Sequence, residues 1–108
     1  MDKKLKTKWL EALRSGEYEQ GIEDLKFVGT AGTLYCCLGV LCEITNKKSS
    51  HPYYLDRALL KEFKLEDDAQ ICLAAMNDGG QLLSSSGVEY TFTVKSFKQI
   101  ANWIEAHL

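Results

Sequence analysis

Tyr35-Cys36-Cys37-Leu38-Gly39-Val40-Leu41-Cys42 is the stretch on which the fold turns. Apart from the tyrosine hydroxyl it offers no polar face, so water is a poor neighbour on every side and the rest of the chain must surround it. Over so short an apolar run, periodicity does not separate a buried strand from a buried helix. The leucines, the cysteines and Glu43 favour a helix over about 36–45, following a hairpin that ends at Tyr35. Gly39 within such a helix costs about 1 kcal/mol relative to alanine, which points to a close backbone approach at that position.

Upstream, Lys26-Phe27-Val28 and Thr33-Leu34-Tyr35 flank Gly29-Thr30-Ala31-Gly32, the pattern of a β-hairpin with a four-residue loop. Residues 17–24 lack a period and read as an ordered loop carrying Tyr18 and Gln20. Before them, Leu5, Trp9 and Leu13 form a helical stripe, widened by Leu10 and Ala12, with Asp2 as cap and Ser15-Gly16 as terminator.

Downstream, Asn46 to Pro52 is polar and contains the single proline, hence a loop. Leu55, Leu59 and Phe63 make a stripe with Asp56 as cap. Asp67-x-x-Gln70 has the form of a capping box ahead of a helix burying Ala69, Cys72, Leu73 and Met76, which Asn77-Asp78-Gly79-Gly80 ends. Ser84-Ser85-Ser86-Gly87 reads as a turn. Val88, Tyr90, Phe92 and Val94 alternate with polar residues as in a half-buried strand. Ser96-x-x-Gln99 opens a last helix whose Phe97, Ile100, Ala101, Ile104 and Leu108 share a face. The expected architecture is α+β: one domain over 1–108, four to five helices around the cysteine-rich one, and a small antiparallel sheet from the 25–35 hairpin and an 88–94 strand.

The chain has 108 residues, 45% apolar and 26% charged, enough for one hydrophobic core without staples. A net charge of −2 argues against a duplex nucleic-acid partner. Charge is nonetheless uneven, with Lys3, Lys4, Lys6 and Lys8 at one end and Glu66-Asp67-Asp68 as an acidic knot. With no leader-like or membrane-spanning apolar stretch, the expected setting is a reducing cytoplasm, where the four cysteines stay thiols.

Four segments together resemble a group of small bacteriophage accessory proteins of uncharacterised function. They are Lys8-Trp9-x-x-Ala12-Leu13-Arg14-Ser15-Gly16-x-Tyr18-x-Gln20, the cysteine-rich octapeptide, Leu73-Ala74-x-Met76-Asn77-Asp78-x-Gly80, and Phe97-x-x-Ile100-Ala101-x-Trp103-Ile104-Glu105. The resemblance implies action inside an infected bacterium and carries no activity with it. The Ser84 to Thr93 segment departs from it by its length, which implies an added edge strand or an oligomer contact.

Each candidate site has a plainer reading beside it. Cys36 near a helix N-terminus, with His51 or His107 as base and Asp78 as orienting group, would make a cysteine hydrolase; interior packing explains the thiols more simply. Adjacent cysteines plus scattered histidines do not give the paired spacing of a zinc site, and no cofactor motif is present. The expected ligand-binding residues are Arg14, Tyr18 and Gln20, for an anion, a base and its edge, with Asn77 and Asp78 for ribose; helix capping and turn formation are their structural alternatives.

Three functional readings follow, in this order. The first is a non-enzymatic protein that captures a small anionic ligand, in its concrete form a nucleotide immune signal such as a cyclic ADP-ribose relative or a cyclic dinucleotide, with a site between protomers of a homo-oligomer. The second is an interaction module that inhibits a host protein through Tyr53, Tyr54 and Trp103. The third is the cysteine hydrolase.

Overall fold

A computed structural model of the chain describes residues 1–83, 87 and 89–108, without the side chains of 81–83 and 89–92. In order along the chain lie α1 (Lys3–Ser15), β1 (Lys26–Gly29), β2 (Gly32–Tyr35), α2 (Cys37–Thr45), α3 (Arg57–Phe63), α4 (Asp67–Asp78), β3 (Gly80–Leu83), β4 (Glu89–Phe92) and α5 (Phe97–His107). The fold is α+β, with α2 at its centre.

The octapeptide is interior. Cys37, Val40 and Leu41 have no exposed surface and Leu38 keeps 1%. Cys36 is the N-cap of α2, its Sγ accepting the Gly39 N–H at 3.4 Å. Gly39 does permit a close approach. A Cβ built there would stand 1.7 Å from the Leu25 carbonyl oxygen, which also accepts the Cys36 N–H at 3.3 Å. The start of β1 therefore lies directly against the first turn of α2.

The other helices deliver their expected faces. Trp9 is fully buried, and its indole N–H donates to the Cys37 carbonyl at 2.9 Å, which resolves the polar atom of the largest core side chain. Asp2, Asp56 and Ser96 cap α1, α3 and α5, the last as a full capping box with Gln99. Gly16 (φ 80°) ends α1 in the left-handed region that favours glycine. The box expected at Asp67 and Gln70 does not form. Glu66 is the N-cap and makes no side-chain cap bond, while the Gln70 carbonyl oxygen accepts the Leu55 N–H at 2.7 Å. A buried orphan donor on a neighbouring segment outcompeted the exposed amides of Gln70's own helix start.

The strands form two separate antiparallel pairs. β1 and β2 join as the expected hairpin, with Phe27 opposite Leu34. β4 does not extend that hairpin; it pairs with β3, Gly80 opposite Phe92, a strand the sequence pattern did not single out. The turn expected at Ser84-Ser85-Ser86, and the inward alternation expected of Val88, Tyr90 and Phe92, lie outside the described residues. Val94 falls beyond β4 and is 57% exposed.

Candidate functional site

The sequence-expected site residues fall into two places. Gln20, Asn77 and Asp78 converge on the N-terminal end of α2. Asn77, fully buried at the end of α4, accepts the Cys37 N–H at 3.1 Å and the Gln20 amide N–H at 3.1 Å through Oδ1. Its own amide nitrogen donates to the Gly21 carbonyl and to Asp78 Oδ1, both at 2.8 Å. Gln20 also donates to the Lys95 carbonyl at 2.7 Å, and Asp78 Oδ1 accepts the Glu23 N–H at 2.9 Å. One buried asparagine thus ties the 17–24 loop, α2, α4 and the approach to α5 with its donors and acceptors engaged inside the protein.

Arg14 and Tyr18 stand apart from this cluster. The Arg14 guanidinium spans to α5, donating to Glu105 at 2.7 Å and Asn102 at 2.9 Å. Tyr18 meets Tyr35 edge-to-face at 5.2 Å, and burial, then Glu43, raises its phenol above the ordinary value. The five residues do not assemble into one pocket. Each is accounted for by the packing its neighbours require.

The thiols sit in surroundings that disfavour the thiolate. Burial pushes Cys36 up to about 11, outweighing the opposing effect of the Gly39 and Leu38 N–H groups. Cys37 is raised well above its ordinary value by complete burial, and Cys42 is raised to about 11 by burial and then by Asp56 and Glu43. Both imidazoles are engaged locally: His107 contacts the Trp103 carbonyl through Nδ1 at 2.9 Å, and His51 stacks on Tyr54 with ring centroids 3.5 Å apart.

A different site opens at the other end of α2. A cleft of about 550 Å³ lies between β1, the C-terminal half of α2 and the loop that follows it, within the ~300–1,000 Å³ span usual for small-molecule sites. Its apolar wall comes from Leu25, Val28, Cys42 and Pro52, and its cations are Lys26, Lys47 and Lys48. Gly39 forms part of the floor, so the missing Cβ that admits the Leu25 carbonyl also shapes this cleft.

The loop wall is held from behind. Asn46 (φ 54°) turns the chain out of α2, the Pro52 carbonyl accepts the Leu25 N–H at 2.9 Å, and Gln70 anchors Leu55. Asp56 accepts from Ser50 N–H at 2.8 Å and Leu59 N–H at 2.9 Å, bonds that hold its carboxyl below the ordinary value. His51 Nδ1 accepts the Tyr53 N–H at 3.2 Å, so the ring proton lies on Nε2 and remains available as a donor.

Lys26 pairs with Glu43 at 3.4 Å and Lys47 with Glu62 at 3.5 Å; Lys48 has no ion-pair partner among the described residues. Of these residues only His51 stands among the sequence-expected candidates, as a base for cysteine chemistry; Lys26, Lys47 and Lys48 do not. The available signal was the polar, lysine-bearing loop directly after the apolar helix. A larger depression of about 740 Å³ at the α3–α4 turn is shallower and mixes Arg57 and Lys61 with Glu66 and Asp67.

Residues 1–57, more than half of the 108, match the family described as Domain of unknown function (DUF8296). The chain belongs to that family. The matched span runs from the start of the chain through α1, the β1–β2 hairpin, α2 and the cleft loop to the first residue of α3, so it carries every element that lines the cleft. No match to the chain was found among curated proteins or among solved structures. Among the described residues, no helix is long and apolar enough to cross a membrane.

Proposed function

We propose that this protein is a non-enzymatic binding protein that captures a small anionic ligand in the cleft beside the C-terminal end of α2. The observation carrying the reading is the convergence of Lys26, Lys47, Lys48 and His51 over an apolar wall in one recess of about 550 Å³. Cations at the rim attract and orient an anion, while apolar contacts beneath supply area that surface lysines alone cannot. The high-lying, buried thiols favour binding over cysteine chemistry. The resemblance to phage accessory proteins supports a setting in the cytoplasm of an infected bacterium, where the captured ligand is a nucleotide immune signal.

Calorimetry and thermal-shift measurements against nucleoside monophosphates, cyclic dinucleotides and cyclic ADP-ribose relatives test both levels. Saturable heat with at least one of them, lost in a Lys26→Gln/Lys48→Gln double variant, is the expected result. Silence across the whole panel would remove the proposal.

A second reading is favoured by a specific feature. Phe27, Val28, Tyr53 and Tyr54 are 52%, 72%, 54% and 48% exposed, on the hairpin and loop that flank the cleft. Such a surface suits a protein partner. Retention of a stoichiometric bacterial protein by the wild type, and its loss in Phe27→Glu, which lies outside the cleft lining, distinguishes this reading from ligand capture.

A further inference from the structure

The Lys26–Glu43 pair is built loosely for something so well placed. Its 3.4 Å separation exceeds the ~2.7–2.9 Å of a charge-assisted hydrogen bond, and the two side chains are 47% and 40% exposed. Exposed pairs of this kind contribute little to stability. Lys26 is steadied independently by the Tyr35 ring, its Nζ lying 5.8 Å from the centroid. The pair is therefore loose enough for a competing anion to take the place of Glu43, and Lys26 would remain in position to receive it.

We infer that Glu43 is a displaceable internal counter-ion for Lys26, and that the cleft takes organic anions carrying one charged head on a flat apolar body. The head takes the place of the Glu43 carboxylate beside Lys26, with Lys48 and His51 lining the same cleft. The body lies on Leu25, Val28 and Pro52. A bare inorganic anion leaves that apolar wall unused and must compete with Glu43 on charge alone. The inference rests on the proposed ligand-binding reading and specifies which ligands the site selects.

The test uses the full chain, with 1-naphthyl phosphate as the organic anion and inorganic phosphate as the head alone, titrated by calorimetry. Glu43→Gln is expected to tighten 1-naphthyl phosphate about three- to tenfold and Lys26→Gln to weaken it at least tenfold, with inorganic phosphate far weaker throughout. Glu105→Gln makes the same charge change on the partner of Arg14, between α1 and α5 and away from the cleft, and is expected to leave the affinity within twofold. Circular dichroism checks that each variant is folded, and Glu43→Ala repeats the measurement should the glutamine variant fail that check. Binding that is unchanged or weaker without Glu43, or equally improved in Glu105→Gln, overturns the counter-ion role but leaves ligand capture standing. Equal affinity for the two phosphates overturns the ligand class. No binding in the wild type or in either Glu43 variant removes the counter-ion role, and silence across the nucleotide panel as well removes ligand capture.

Discussion

At the N-terminal end of α2, polar groups are met from within: Asn77 receives Cys37 N–H, Cys36 Sγ receives Gly39 N–H, and the Cys37 carbonyl receives Trp9. At the C-terminal end of the same helix, Lys26 and Glu43 pair loosely at 3.4 Å and Lys47 pairs with Glu62 at 3.5 Å. The nine-residue helix thus joins a closed end to an open one. Polar residues in a buried network are specified by each other, whereas charges facing water are free to meet something else. Three of the five residues expected to bind a ligand belong to the closed end. The lysines that the sequence reading passed over are at the open end.

The largest expected effect comes from the contact both ends share. Gly39→Ala sets a methyl group against the Leu25 carbonyl and has no flexible side chain to push aside. A loss of about 3 kcal/mol or more in denaturant unfolding is expected, with the thermal midpoint falling by more than roughly 10 °C. Undiminished stability would mean that β1 does not rest on the helix.

Asn77→Leu attacks the closed end alone. It leaves Cys37 N–H and the Gln20 amide without their shared acceptor, and about 2–3 kcal/mol should be lost in the same assay. A variant as stable as the wild type would show that the hub does not organise this end.

Gln70→Ala frees the Leu55 N–H behind the loop wall. Its expected cost is smaller, about 1–2 kcal/mol. Faster amide exchange should spread along residues 49–55 while Cys37 stays protected, and exchange spreading equally to Cys37 would show that the two ends are not independent.

Acid separates the ends without mutation. The Asp56 carboxyl is depressed by its bonds to Ser50 and Leu59, so its contribution is complete above the ordinary value of 3.8 and is lost as pH falls through the lower folded value. In an NMR titration the Ser50 and Leu59 amide shifts should move below about pH 4, with Cys37 unaffected. Movement of Cys37 in step with them would show that both ends respond as one.

Arg14→Ala should do least. The side chains of Arg14 and Glu105 are 37% and 59% exposed, and such pairs contribute ~0–1 kcal/mol. A large loss in denaturant unfolding would make the α1–α5 bridge a second stabilising centre.

The helices were largely legible in the sequence because each carries its own instructions. Leu5, Trp9 and Leu13 recur at helical spacing, Asp2 and Asp56 precede the helices they cap, and Ser96 with Gln99 closes a capping box within four residues. Local chemistry misled where a distant donor outcompeted it. Gln70 matches a capping pattern but bonds Leu55, fifteen positions away. Asn77-Asp78 reads correctly as a helix stop, yet that reading does not reveal what the two side chains grip. The hairpin and the strand near 88–94 both form, but the partner of the second was not legible. An alternating segment announces a strand but not its partner, and β4 found β3 rather than the hairpin.

The sequence by itself determined that the cysteine-rich octapeptide lies inside, because a segment without a polar face has no other low-energy place. It also determined where most helices begin, because capping is decided among residues three or four apart. Tertiary structure alone decided that Asn77 would be a buried hub and that Lys26 and Lys48 would line one cleft. Those arrangements depend on segments distant in the chain, and no local pattern of side chains encodes which of them will meet.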